Sequence, residues 1–227
     1  MTTRNSSSTA IAEEDLPDAK DLYASVSDSE NESKTGDPVS IYFFRSSGSQ
    51  LRESPHPLSG DSSHAIYDLE GRRYPTLVHY FFAQRFPENS EWVANICSME
   101  SGRVAAIMGR ADTEDGQTGW KGGSSAIVLR GIFLKAALHL DVYNTLTHEY
   151  KATVEIGEDI QAEDDDDYWG TGKNGAGRNI YGRMLEIAGI ACINGDIPVP
   201  NEFVDKNKSL LSKAIAAWEL YQEQVFE

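Results

Sequence analysis

The segment Ala126 to Leu140 constrains the fold most, because its apolar residues cover nearly the whole circumference of a helix, interrupted by Arg130 and Lys135. Such a helix has no natural solvent face and belongs at the centre of a core. Ser124 or Ser125 is placed to cap its start. Long cations on an apolar helix usually lay their stems along it and keep the charge in water. Arg130 and Lys135 are therefore expected to snorkel, unless one reaches a pocket.

The pattern around this helix adds further elements. Ser40 to Arg45 reads as a first strand, and His64 to Asp68 and Arg72 to Tyr74, joined through Leu69-Glu70-Gly71, read as a hairpin. The long loop Ser46 to Ser63 is either functional or disordered. From Thr76 the periodicity turns helical: Leu77 to Phe86, Glu88 to Met99, and Ser101 to Arg110 with Ser101 as N-cap. Helices Ile180 to Ile193 and Ser209 to Phe226 complete the set, the last with a wide apolar stripe.

The chain has 227 residues, 40% of them hydrophobic, enough for one good core and one domain. Residues 1–37 carry nine acidic and three basic side chains and no apolar periodic run, so they are expected to form a disordered acidic tail, leaving 38–227 as the domain. No signal-peptide core or bilayer-length apolar run occurs, which points to a soluble intracellular protein, cytoplasmic or nuclear, with no membrane partner. Cys97 and Cys192 are expected to be buried free thiols. Of the net charge of −16, residues 1–37 contribute −6 and 155–167 contribute −8, which leaves the body nearly neutral. That excludes a broad phosphate-tracking surface and limits any nucleic-acid contact to a small local one. Oligomeric state is not legible.

Chemistry concentrates in Asp164 to Asn179, which holds four aspartates, Tyr168, Trp169, the glycines Gly170, Gly172, Gly175 and Gly177, the cations Lys173 and Arg178, and Asn179 at a helix start. Glycines let backbone N–H groups turn toward an anion, and the helix beginning near Asn179 adds a positive dipole end, so a phosphorylated ribose suits this cradle. Gly170 to Gly175 matches a dinucleotide fingerprint literally, but four aspartates precede it instead of an apolar strand. A P-loop fails as well, because Asn174 follows Lys173. The aspartate run lacks EF-hand spacing and a His/Cys partner set, so no metal is expected, and no cofactor is implied.

These residues closely resemble the C-terminal signature of the NADAR, or YbiA-like, family: Asp166-x-Tyr168-Trp169-Gly170, then Gly175-x-Gly177-x-Asn179-x-x-Gly182-x-x-Leu185. Ile41-Tyr42-Phe43-Phe44 is similar to its opening strand, and Tyr74-Pro75-Thr76-x-x-His79-Tyr80-Phe81-x-Ala83-Gln84 to its central motif. Ala105-x-x-Met108-Gly109-Arg110, Trp120 and the helix holding Lys135 follow in the family's order. The resemblance spans roughly residues 40 to 190. It implies an α+β fold, a mainly helical single domain with a small sheet, and an N-glycosidase that cleaves a ribose-to-nitrogen bond. Two substrate classes are implied: ADP-ribose on a guanine base in DNA, with ADP-ribose as product, or phosphorylated ribosylamino intermediates of riboflavin synthesis.

Two departures matter. The family places Glu where this chain has Val78 and Lys where it has Arg85, and Leu58-Ser59-Gly60 keeps only part of an early motif. Arg85 stays protonated and cannot form a Schiff base, though it can clamp phosphate. Cleavage builds positive charge on the ribose, so a carboxylate is still needed. Candidates are Asp166 first, then Glu155, then Glu53, against the alternative of a solvated acidic loop. Substrate contacts are expected from Tyr42, His79, Gln84, Arg85, Arg110, Trp120, Lys135, Trp169, Gly170, Gly172, Lys173, Gly175, Gly177, Arg178 and Asn179. Trp120 packs in the core or stacks on a base, and His79 either orients substrate or is a satisfied core histidine. Asn179 is an N-cap, a ligand contact, or both. A non-catalytic ADP-ribose or nucleotide-binding module is the remaining alternative, and it accounts for Val78 and Arg85.

Overall fold

A computed structural model describes residues 41, 43, 56–86, 90–110, 124–148, 168–170, 176–200 and 208–225. The acidic tail lies outside them, and of the first predicted strand only Ile41 and Phe43 are described, both buried. The predicted hairpin is present but short: β1 (Ile66–Tyr67) pairs antiparallel with β2 (Arg73–Tyr74), in the register Ile66 to Tyr74 and Tyr67 to Arg73. Gly71 turns the chain at φ +88, a conformation L side chains rarely adopt.

Seven α-helices occur among the described residues. The first three are α1 (Leu77–Ala83), α2 (Glu91–Ser98) and α3 (Gly102–Gly109), each starting where a hydroxyl caps it. Thr76, Ser90 and Ser101 accept from the third helical N–H, so the local sequence sets these boundaries. Next come α4 (Ser124–Leu138), α5 (Leu140–His148), α6 (Ile180–Ile193) and α7 (Lys208–Tyr221), the last continued by a 3₁₀ turn, Gln222–Val225. Thus α4 begins earlier than expected: Ser124 and Ser125 lie within it and do not cap it. The sequence pattern did not set α5 apart.

As its apolar circumference demands, α4 is central, packing against α1, α5, α6, α7 and β1. Val128, Leu129, Ile132, Phe133, Leu134, Ala136 and Ala137 are all buried. Gly131 permits its closest approach to α1, since a Cβ there would sit 2.3 Å from Leu77 Cδ1 and 2.9 Å from Tyr80 Cδ1. A side chain would push these helices apart and open the core. The result is a mainly helical α+β domain with a two-stranded sheet at one side.

Candidate functional site

Lys135 does not snorkel. It is 2% exposed, and its ammonium donates to Pro57 O at 2.5 Å, Ser59 O at 2.9 Å and Ser62 Oγ at 2.6 Å. Three acceptors match the three ammonium protons, so the charge is buried but fully solvated by protein. Desolvation pulls its pKa from 10.5 down to about 7, opposed by Asp61 and Asp141. Ser62 is itself fully buried and donates to Ser59 O at 2.8 Å, which makes this serine–lysine contact a closed structural one.

The turn that Lys135 holds contains the Leu58-Ser59-Gly60 remnant and is pinned from other sides too. Val78 N–H donates to Gly60 O at 3.1 Å and Tyr181 OH to Leu58 O at 2.6 Å. A Cβ on Gly60 would fall 1.8 Å from Phe43 O. Val78, at the family's Glu position, is fully buried, and its Cβ faces Gly102.

His79 resolves to a satisfied core histidine. It is 1% exposed, with Nε2 3.2 Å from Met99 O and Nδ1 2.8 Å from Thr76 Oγ1. A carbonyl only accepts, so Nε2 carries the proton and Nδ1 accepts from the Thr76 hydroxyl. Desolvation lowers its pKa, opposed by the bond to the Met99 carbonyl. Both nitrogens are occupied, leaving none for a substrate.

The remaining described candidates fall into two groups. In the larger, ring contacts connect Arg110 and Arg178 through the core. The Arg110 guanidinium lies 5.9 Å from the Phe82 ring centroid, and Phe82 packs on Phe81 at 4.9 Å. Phe81 meets Trp169 at 5.9 Å, Trp169 meets Tyr168 at 5.0 Å, and Arg178 covers Tyr168 at 5.0 Å. Arg85 joins this band through its Nη1 donor to Gly109 O at 2.6 Å, beside Arg110. Gly109 allows the approach, since a Cβ there would lie 2.4 Å from Phe82 Cβ. Trp169 is buried against Phe43 and Phe81, so its ring is first a core residue.

The signature closes on itself at its two described ends. Asn179 N–H donates to Gly170 O at 2.8 Å, and Tyr168 OH meets Ser125 Oγ at 2.5 Å, tying the segment to the start of α4. Asn179 occupies the N-cap position of α6, as expected, at φ 48 and ψ 42, but its side chain makes no cap bond. Its Oδ1 is buried without a hydrogen-bond partner, and its side chain folds over Gly182, where a Cβ would come within 2.4 Å of Nδ2. A strained asparagine with an orphaned oxygen is costly for structure alone. Gly177 is half-buried and Arg178 exposed in the same bend.

Gln84 parts from its neighbour Arg85. It lines a cleft of about 390 Å³ between the hairpin, the end of α1 and α4, together with Asp68, Glu70, Arg72, Tyr74, Tyr80 and Arg130. Arg130, expected to snorkel or to reach a pocket, is among the residues lining this cleft. Tyr42, Glu53, Trp120, Glu155, Asp166, Gly172, Lys173 and Gly175 lie outside the described residues. Both cysteines are free thiols, with Cys192 buried and Cys97 half-buried. Among the described residues no helix is long and apolar enough to cross a membrane.

No family model matches the chain. It is 28% identical over 117 residues to the N-glycosidase YbiA of Shigella boydii, an alignment covering 52% of this chain and 69% of that protein. It is 27% identical over the same length and shares to YbiA of Escherichia coli strain K12. Similarity to an N-glycosidase of Nostoc punctiforme runs over 151 residues at 26% identity, covering 65% of this chain and 88% of the relative. The NMR structure of Escherichia coli YbiA shares the fold, with a TM-score of 0.53 and 22% identity over 74% of this chain and 94% of that one.

Proposed function

We propose that the chain is an N-glycosidase of the YbiA-like, or NADAR, family that hydrolyses the bond between ADP-ribose and a guanine base. The observation that carries this reading is the self-closed signature, with Gly170 bonded to Asn179 and Arg178 stacked on Tyr168. Its strained asparagine and exposed guanidinium suit a phosphorylated ribose better than they suit packing. Arg85 and Arg110, together at the ends of α1 and α3, supply two further guanidinium groups for a diphosphate.

In this reaction the bond from the anomeric carbon to nitrogen breaks, the base departs with a proton, and water adds to the carbon. The transition state carries oxocarbenium-like positive charge, which a nearby carboxylate stabilises while activating the water. Val78 cannot serve and lies buried. Asp166, two residues before the core-anchored Tyr168, is therefore assigned the role, with Glu155 and Glu53 as the next candidates. The chemistry requires no cofactor.

The second reading, cleavage of phosphorylated ribosylamino intermediates of riboflavin synthesis, uses the same bond and the same groups. Both are tested by incubating the protein with a guanine-ADP-ribosylated oligonucleotide and, separately, with the ribosylamino-pyrimidine phosphate, and following release by mass spectrometry. Release from the first, abolished by Asp166→Ala, is expected. Release unaffected in Asp166→Ala, Glu155→Ala and Glu53→Ala would remove the carboxylate assignment. Release from neither substrate, with ADP-ribose still raising the melting temperature, would instead make the chain a binding module.

A further inference from the structure

The turn that Lys135 holds is closed to a substrate, yet it is connected to water on its far side. His64 Nδ1 lies 3.1 Å from Ser62 Oγ, the atom that accepts from the Lys135 ammonium at 2.6 Å. His64 Nε2 in turn lies 2.7 Å from Asp141 Oδ2. Exposure rises along this path, from 2% at Lys135 and 0% at Ser62 to 19% at the His64 side chain and 58% at that of Asp141. Side chains from α4, the turn, the segment before β1 and α5 thus form one hydrogen-bonded line from a buried cation to the surface.

The donors run one way along that line. A carboxylate only accepts, so His64 Nε2 carries a proton, and in the neutral ring Nδ1 is then an acceptor. The Ser62 hydroxyl has one proton and three acceptors in reach, Pro57 O at 3.1 Å, Ser59 O at 2.8 Å and His64 Nδ1. Both carbonyls already receive an ammonium proton, which leaves the hydroxyl able to turn to Nδ1. Lys135 then donates to Ser62, Ser62 to His64, and His64 to Asp141. His139 stands outside the path, since its ring meets His64 edge-on at 5.0 Å and its Nε2 is bonded to Ala65 O at 2.7 Å.

We propose that Lys135, Ser62, His64 and Asp141 form a proton relay, which moves the buried positive charge out to the His64–Asp141 pair and exchanges it with water there. In the transfer an ammonium proton passes to Ser62 Oγ as the hydroxyl's own proton passes to His64 Nδ1. Lys135 becomes a neutral amine and His64 an imidazolium beside the carboxylate, with no net gain or loss of protons. No bond of the turn is lost. The amine keeps two N–H donors for Pro57 O and Ser59 O, its lone pair accepts from Ser62, and Ser62 Oγ accepts from His64 Nδ1–H. Burial, which pulls the Lys135 pKa down to about 7, favours the transfer, while Asp61 of the turn and Asp141 of α5 hold the proton on the amine. The other titratable groups nearby are His139, which the Lys135 charge reaches, and Tyr181 of α6, which burial keeps protonated beside Asp61. The relay stands apart from the N-glycosidase reading and does not depend on it.

Solvent exchange of the Lys135 Nζ protons, followed by ¹⁵N NMR of the full chain at pH 6, below the Lys135 pKa of about 7, tests it. His64→Gln leaves all three ammonium bonds in place but cannot pass a proton on, and it should slow exchange by about tenfold or more. Ser62→Ala should slow it at least as much, and Asp141→Asn, at the exposed end, by less. A loosened turn would speed exchange, so the sign of the change separates a lost relay from a disturbed fold. Exchange in His64→Gln that is unchanged or faster than in the wild type overturns the proposal. Slowing in His64→Gln without slowing in Ser62→Ala would overturn the route through the hydroxyl.

Discussion

Arg130 and Lys135 sit on the same helix within two turns of each other, and their surroundings are opposite. The Lys135 ammonium has an acceptor for every proton. Arg130 has a rigid aromatic floor, a buried donor with nothing to meet it, and a cleft in front. A cation buried to hold a fold together spends its donors on the fold, as Lys135 does, whereas the Arg130 Nε makes no such bond. The same test separates His79, with both nitrogens occupied, from the 168–179 segment, where the Asn179 oxygen is left over.

The comparison can be broken by substitution, and the largest effect is expected in the turn that Lys135 holds. Gly60→Ala drives a Cβ into the Phe43 carbonyl, a backbone atom that cannot swing away. It should cost more than about 4 kcal/mol and yield largely insoluble protein. Lys135→Met leaves two backbone carbonyls and the Ser62 hydroxyl without their donor. Denaturant unfolding at pH 6, where the ammonium is intact, should show a loss of about 3 kcal/mol. Arg130→Met orphans no acceptor and should cost under about 1 kcal/mol, mainly the contact with Trp218. If Arg130→Met proved as destabilising as Lys135→Met, the contrast would collapse.

The pH dependence sharpens the same point. Lys135 titrates near 7 in the folded chain against 10.5 ordinarily, so above pH 7 the unfolded chain holds a proton that the folded one has lost. Stability must then rise with pH at this site, and the wild type should gain on Lys135→Met between about pH 7 and 10.5. A flat difference across that range would contradict the burial argument. The smallest effect belongs to Asp141. Burial alone would raise its pKa, but the His64 bond at 2.7 Å outweighs that and lowers it. The contribution is present above the ordinary carboxylate range and lost as pH falls through the lowered pKa. As an exposed pair it should be worth less than about 1 kcal/mol, seen as a slight acid sensitivity absent in Asp141→Asn.

How much of this was legible in the sequence depends on whether partners are local. Helix α6 was readable end to end because its run is apolar but for Arg183 and Glu186, and the start of α3 followed from the Ser101 hydroxyl in the same turn, whereas α2 begins at Glu91, capped by Ser90, and not at the expected Glu88. Helix α5 was missed because it follows α4 with only His139 between them and mixes Asn, Thr and Asp among Leu140, Val142, Tyr143 and Leu146. Lys135 was misread because snorkelling is the default for a helical lysine, and its acceptors come from more than seventy residues away. The family motif announced the Trp169 to Asn179 segment, but its closure through the Gly170 carbonyl is a backbone fact that no residue type reveals. Gln84 and Arg85 look equivalent in the motif, yet they serve different surfaces.

With Val78 and Arg85 at the positions where the resembling family has Glu and Lys, the proposed cleavage of an N-glycosidic bond has to draw its carboxylate from elsewhere in the chain. The most direct measurement is the intact mass of a guanine-ADP-ribosylated oligonucleotide after incubation with the wild-type chain. The mass of the unmodified oligonucleotide together with free ADP-ribose is expected, and no such conversion with Asp166→Ala. An unchanged substrate mass after prolonged incubation with the wild type, under conditions where ADP-ribose binds, would contradict it.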